Sequence, residues 1–338
     1  MNALILEEPG RLRLTEIPEP AGPGPGEALV RVHRTGVCGT DLHAFRGVQP
    51  FFTYPRLIGH ELGVEVLEVG EGVIDVTPGE RCAVEPYINC GHCIACRRGK
   101  GNCCARLKVL GVHTDGGLRE RFLVPAHKLH RSSILSYEQL ALVETLGIGA
   151  HAVQRAHLET GEWALVVGCG PIGLGVLQFA KQAGARAIAL DANDERLAFC
   201  RRKWGVGHTV RAGESALGDL RDLTDGDLPT AVFDATGNPA SMRAAFDYAA
   251  PGGRLVYVGL FQGDATFHDP DFHRKELTLS ATRNSTPRDF RDIIGWMENG
   301  DIDTSAWITH RVPLAEAADQ FPGWTSNPAG LLKAVIEL

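Results

Sequence analysis

The sequence predicts an α/β protein in two parts, a β-rich domain with many loops and a doubly wound parallel-sheet domain. Three observations point there. Up to about Val143 the chain runs as short β-branched stretches broken by Gly and Pro. From about Glu144 apolar strands alternate with helical patterns, and a Gly-x-Gly-x-x-Gly turn sits at the first strand-to-helix junction of that series. With 338 residues, 44% of them hydrophobic and 22% charged, the chain has ordinary globular composition and enough length for two cores.

In the first part, Ala28 to His33, Gly63 to Val69 and Arg81 to Pro86 read as strands between turn signals. The Pro- and Gly-rich segment Glu19 to Glu27 reads as a turn, being too short to separate domains. In the second part the strand candidates are Trp163 to Gly168, Ala187 to Asp191, His208 to Val210, Ala231 to Asp234, Arg254 to Val258 and Leu277 to Ala281. Beyond Arg283 the pattern looks irregular until Leu331 to Leu338, which reads as a terminal strand. The expected organisation is residues 1–143 with 284–338 as one domain and 144–283 as an insertion.

A formal net charge of −7 gives no general attraction for nucleic acid or an anionic membrane, and no basic patch stands out. Met1 to Gly10 lacks a basic head and a long apolar stretch, and no run approaches the roughly 18 apolar residues of a membrane span. The expectation is a cytoplasmic protein whose partner is a small molecule. Of nine cysteines, five lie between Cys90 and Cys104, which in a reducing compartment points to metal rather than to disulfides.

The glycine turn is Gly168-Cys169-Gly170-Pro171-Ile172-Gly173, opening an apolar helix through Ala180. Gly168 permits the tight turn, Gly170 lets the backbone approach a pyrophosphate, and Gly173 lets helix and strand pack closely, with the helix N-terminus meeting the phosphate charge. The following strand ends in Asp191, 18 positions beyond Gly173. A carboxylate there accepts both adenosine ribose hydroxyls and repels a 2′-phosphate, favouring NAD over NADP. Arg196 either reaches the ribose or a phosphate oxygen or is a solvated helix residue.

Cys90, Cys93, Cys96 and Cys104 match the closed tetrahedral shell of a structural zinc. An iron–sulfur cluster and redox thiols are the alternatives that such spacing leaves open, and Cys103 reads as a bystander. A second constellation is spread out: Cys38, the pair His60-Glu61, and Glu144. A thiolate, an imidazole and a carboxylate make a mixed shell that keeps one position open for substrate or water. Singly, each has an ordinary reading: Cys38 as a small buried hydrophobe, His60 as a hydrogen-bonded core histidine, Glu61 and Glu144 as surface charges. Their combination with a nucleotide loop carries the functional reading.

The stretches Gly36-Val37-Cys38-Gly39-Thr40-Asp41-Leu42-His43, Gly59-His60-Glu61, the Cys90 to Cys104 loop and Val167 to Gly173 resemble the zinc-containing medium-chain dehydrogenase/reductase family over nearly the whole chain. The resemblance implies a GroES-like β-rich catalytic domain built from both chain ends, a Rossmann domain binding NAD, and a cleft between them. Val143 to His151 is similar to the sorbitol-dehydrogenase branch, which puts Glu144 in the catalytic zinc shell, directly or through a water. Glu61 resembles the glutamate that approaches zinc in some states, so Cys38 and His60 are the firmer ligands. By the same resemblance Thr40 accepts the substrate proton and passes it to the cofactor ribose, and His43 carries the proton to solvent, while zinc lowers the pKa of the substrate hydroxyl and hydride passes to NAD.

Leu110 to Gly117 and Phe272 to Leu277, with Arg283-Asn284 following, are similar to sugar-acid dehydrogenases acting on L-gulonate or L-galactonate, a polyol being the alternative substrate. The substrate carboxylate then needs a cation, for which Arg283 and Lys275 are candidates; Arg283 alternatively meets the nicotinamide carboxamide. A homo-oligomer, tetramer or dimer, is the expected assembly. Two competing readings are a zinc-free quinone or enone reductase using NADPH, which Cys38, His60 and Asp191 argue against, and a non-catalytic nucleotide-binding module, in which ligands or relay groups should be missing.

Overall fold

The computed structural model describes residues 1–50, 52–326 and 330–338. The chain divides into two compact units, Met1–Thr145 with Thr286–Leu338, and Leu146–Ser285. Among the described residues, no helix is long and apolar enough to cross a membrane.

The first unit is organised around the strand Glu27–Val37, which pairs antiparallel with Glu61–Val69, Arg121–Pro125 and the chain's last strand, Ala334–Glu337. Alternation drives the pairing, because a two-residue period puts Val30, Val32, Leu62, Val64, Val66, Phe122 and Val124 into one core. A second core gathers Leu4, Leu6, Phe45, Ile58, Leu118, Phe321 and Trp324, joining the first strand to the helix Leu314–Ser326. Each large side chain so buried contributes about 1.5–3 kcal/mol. The pairing also sets Glu61 opposite Gly36. A Cβ at Gly36 would collide with the Glu61 carboxylate, so only glycine leaves room for that side chain.

The second unit is a six-stranded parallel sheet in the order His208–Arg211, Arg186–Asp191, Trp163–Val167, Ala231–Asp234, Arg254–Tyr257 and Thr278–Ala281. The strand order reverses beside the first strand in sequence, Trp163–Val167, and ligands of such sheets bind at that switch point. Ala164 to Val167 and Ala231 to Asp234 are buried on both faces, which is why they read as unbroken apolar runs.

The tail corrects the reading of an irregular segment beyond Arg283. It holds two helices, Pro287–Glu298 and Leu314–Ser326, and the strand His310–Pro313 before the expected terminal strand. The first helix begins with a capping box between Thr286 and Asp289, and Phe290, Ile293, Ile294 and Met297 are buried along one face. The second carries Pro322 and Gly323 inside it, residues that disguise a helix in sequence.

Candidate active site

Cys38 ends the central strand and caps the short helix Gly39–Phe45. Its backbone N–H donates to Asp41 Oδ2 at 2.9 Å, and Gly59 N–H donates to Asp41 Oδ1 at 3.4 Å. A single buried carboxylate thus ties the Cys38 turn to the turn before His60, where Gly59 adopts a φ of +91° that a side chain would strain. The same Oδ1 lies 3.7 Å from His60 Nδ1, which is buried and has no hydrogen-bond partner. A hydrogen bond links the other side of the imidazole environment to the Cys38 thiol. Burial works against a charge on His60, yet Asp41, Cys38 and Glu144 around it carry its pKa well above the ordinary value. A site that favours positive charge this strongly, with a thiol and an imidazole aimed together, suits a cation.

One ligand atom each of Cys38, His60 and Glu61 lies within 4.8 Å of the others, close enough for modest inward movement to bring all three onto one ion. The thiol, imidazole and carboxylate donors are those zinc takes. Glu61 is completely buried, and both its oxygens face Lys333 Nζ, at 2.6 and 2.8 Å. Thr145 also donates its hydroxyl to Glu61 Oε1 at 2.5 Å. Burial penalises the Glu61 charge, but Lys333 and His60 hold its pKa below the usual carboxylate value. For Glu61 to reach a metal it must give up part of the Lys333 pairing. Glu144 is not in the three-residue cluster; its carboxylate accepts a short hydrogen bond from the Tyr87 hydroxyl, and burial raises its pKa.

The four cysteines of the loop also converge, with ligand atoms all within 4.8 Å. Sγ separations of 3.5 Å for Cys93–Cys96, 3.9 Å for Cys93–Cys104 and 4.0 Å for Cys90–Cys96 bracket the edge of about 3.8 Å expected for a tetrahedron with 2.3 Å zinc–sulfur bonds. A multi-iron cluster would stand between its cysteines and hold them further apart. Backbone N–H groups of Cys96 and Ala105 lower the Cys93 pKa to about 6, and those of His92 and Cys93 lower that of Cys90 to about 7. Those N–H groups therefore favour the thiolate at Cys93 and Cys90, whereas the pKa of Cys104 is raised. Cys103 is exposed and outside the cluster.

In the second unit Gly168 has a φ of +91°, and Gly170 caps the helix Pro171–Gln182, with Pro171 at its start and Ile172 following. A Cβ at Gly173 would strike the Gly168 carbonyl, which explains that glycine by packing. A Cβ at Gly170 would meet no protein atom within 4 Å, so packing does not demand glycine there. Asp191 is buried at the end of its strand; its Oδ2 accepts from Cys169 N–H at 2.7 Å and its Oδ1 from Asn193 N–H at 2.8 Å. Arg196 stands 3.8 Å from Asp191 Oδ2. Carboxylate and glycine turn are thus braced against each other.

Residues 24–134 match the alcohol dehydrogenase GroES-like domain, and residues 171–299 match the zinc-binding dehydrogenase domain. Over 338 residues the chain is 40% identical to L-galactonate-5-dehydrogenase of Escherichia coli K12, covering 99% of this chain and 98% of that one. The chain belongs to the zinc-binding alcohol dehydrogenase family. A second relative, 2-dehydro-3-deoxy-L-galactonate 5-dehydrogenase of Pseudoalteromonas atlantica, is 33% identical and spans 93% of this chain and 92% of its own. Among solved structures, the alcohol dehydrogenase rspB of Escherichia coli CFT073 in complex with NADH superposes with a TM-score of 0.93 at 31% identity, covering 100% and 99% of the two chains. This dehydrogenase is therefore an enzyme of a family acting on alcohols, polyols and sugar acids.

Within the dehydrogenase, Thr40 and His43 lie three residues apart on the helix Gly39–Phe45 and so share a face. His43 is exposed, and desolvation of its ring together with nearby Arg46 lowers its pKa. Lys275 does not have the role expected for it: its ammonium caps the carbonyls of Phe246, Asp247 and Ala249 at 2.9 to 3.2 Å, closing the end of the helix Pro239–Tyr248. Arg283 is exposed. Two site residues escaped the sequence. Asp41 was visible only as part of a motif, and Lys333, 272 positions from Glu61, gave no signal at all.

Proposed function

We propose that the dehydrogenase oxidises a secondary hydroxyl of a sugar acid of the L-gulonate or L-galactonate type to the ketone, using NAD. The convergence of Cys38, His60 and Glu61 carries this reading, because it supplies a mixed-donor cation site in the unit that also holds Thr40 and His43. The full-length similarity to L-galactonate-5-dehydrogenase supports the substrate class, and the NADH in the rspB complex supports the cofactor.

When bound, zinc would supply the polarisation that lowers the pKa of the substrate hydroxyl, and NAD would supply the hydride acceptor. Cys38 and His60 would hold the metal, with Glu61 and Glu144 as the carboxylates available to it. Asp41, 3.7 Å from His60 Nδ1, would orient the ring electrostatically. Thr40 Oγ1 would accept the substrate proton while releasing its own hydroxyl proton to the cofactor ribose, and the neutral imidazole of His43 would take the proton from there and release it to solvent. Cys90, Cys93, Cys96 and Cys104 hold a second, structural zinc. The residues of Leu146–Ser285 bind NAD: Gly168, Gly170, Pro171, Ile172 and Gly173 line the phosphate turn, Asp191 takes the ribose hydroxyls and Arg196 flanks them. Arg283 is the remaining cation for a substrate carboxylate or the nicotinamide amide. A cytoplasmic homo-oligomer is the setting proposed for this chemistry.

Steady-state turnover with NAD on a panel of aldonates and polyols tests the reading. L-galactonate or L-gulonate is expected to exceed sorbitol in kcat/KM by about 10-fold or more, since a neutral substrate forgoes the charge pairing that a site built for a carboxylate offers. Faster turnover of polyols than of any aldonate would contradict it.

A further inference from the structure

The four-cysteine loop is wired into the interior of its unit by a row of polar side chains. Asn89 Nδ2 donates to Cys96 Sγ at 3.6 Å, and Asn89 Oδ1 accepts from Lys128 Nζ at 3.0 Å. Lys128 Nζ pairs with Glu85 Oε1 at 2.5 Å, and His130 Nε2 lies 3.2 Å from Glu85 Oε2. Lys128, Glu85 and His130 are all buried. Removing a lysine and a glutamate from water costs several kcal/mol per ion, which their attraction offsets only in good geometry. A pair kept at that cost directly behind a side chain that touches a metal-binding thiol calls for a role.

We propose that Asn89, held by Lys128, is a positioning residue for the four-cysteine zinc, and that its amide N–H stabilises the Cys96 thiolate and sets how firmly the loop keeps its metal. The ammonium decides which way the amide faces. Only the amide oxygen can meet three N–H donors, so the NH₂ end must turn to the sulfur. Four thiolates around a divalent ion leave a net negative charge, and each donor to sulfur disperses part of it. Cys104 obtains its donors from the backbone, Cys90 N–H at 3.2 Å and Arg106 N–H at 3.3 Å. Asn89 gives Cys96 a donor that a single substitution can remove. The backbone at Gly101 closes over it, since a Cβ there would stand 3.4 Å from the Asn89 amide.

The proposal rests on the reading of the four thiols as a zinc site. The test follows zinc release to a chelator in a Cys38→Ala background, so that one metal site reports, and records the sulfur-to-metal charge-transfer band after cobalt replacement. Asn89→Ala is expected to release zinc about 10-fold faster, the scale on which outer partners of metal ligands act. Asn89→Asp keeps the size and the Lys128 contact but turns an acceptor toward sulfur, so release at least as fast and a shifted cobalt band are expected. Asn89→Gln, which retains a donor, should release more slowly than either. Lys128→Met with Glu85→Gln removes the pair without stranding a charge and should fall between wild type and Asn89→Ala. Wild-type release and an unshifted band in Asn89→Asp would overturn the proposal, as would equally fast release in all three Asn89 variants with an unshifted band. A wild-type loop that binds no zinc overturns instead the metal reading beneath it.

Discussion

The two cysteine-bearing clusters of the first unit are built in opposite ways. In the loop of Cys90, Cys93, Cys96 and Cys104, every donor comes from fifteen consecutive residues, the donors are alike, and backbone N–H groups lower the pKa of Cys90 and Cys93. Around Cys38 and His60 the donors are unlike, come from distant strands and helices, and are buried among charges: Asp41, Glu61, Glu144 and Lys333. The first arrangement saturates an ion with four equivalent thiolates and leaves no position for a substrate. The second balances a thiol and three carboxylates against an imidazole and an ammonium, a balance that an incoming cation can shift. Uniform local donors hold; mixed distant donors can exchange.

Removing one candidate ligand from the mixed cluster should separate the two roles most sharply. His60→Ala is expected to lower kcat/KM by about 10³-fold or more while the chain keeps the zinc of the four-cysteine loop, as metal analysis would show. Loss of both metals together would break the distinction. Lys333→Met comes next, because it leaves Glu61 buried without its cation. A destabilisation of about 3–5 kcal/mol by denaturant unfolding is expected, and Glu61→Leu in the same chain should recover much of it. Recovery would show that the stranded charge, not lost packing, was the cost.

Smaller effects test the periphery. His43→Asn should slow turnover about 10-fold near neutral pH. Because desolvation and Arg46 lower the His43 pKa, the wild-type imidazole is neutral and able to accept a proton at a lower pH than usual. The rise of kcat with pH should therefore begin below the ordinary histidine range, and the variant should lose that limb. Glu162→Gln, in the other unit, is a control that touches neither cluster. Burial opposes the Glu162 charge, but Arg254 at 2.6 Å, Thr230 and the Glu159 N–H hold its pKa below the usual value. Its stabilisation is thus complete above the ordinary carboxylate pKa and is lost as pH falls through the lowered one. A cost of about 1 kcal/mol at pH 7 that fades in acid, with zinc content unchanged, is expected from thermal unfolding at several pH values.

The same contrast explains what the sequence disclosed. A site made from one local segment is legible, since spacing alone reports it: the four cysteines converge, and the turn from Gly168 opens the helix Pro171–Gln182. The central strands Trp163–Val167 and Ala231–Asp234 of the parallel sheet were equally plain, because burial on both faces writes continuous apolar runs. The site around Cys38 depends on folding to bring its parts together. Asp41 acts by bonding two turns at once, and Lys333 reaches Glu61 only because the last strand pairs beside Glu27–Val37. Lys275 misled for the converse reason, as a cation near a substrate-type motif that the fold spends on a helix end. The helix Pro287–Glu298 carried a readable capping box, whereas Pro322 hid the helix Leu314–Ser326.

Anomalous diffraction at the zinc edge, on crystals of the purified enzyme, addresses the assignment of the mixed site most directly. Two peaks per chain are expected, one amid the four cysteines and one about 2.3 Å from Cys38 Sγ and about 2.0–2.1 Å from a His60 ring nitrogen. A single peak in the cysteine loop, with Cys38 and His60 facing no metal, would contradict the account.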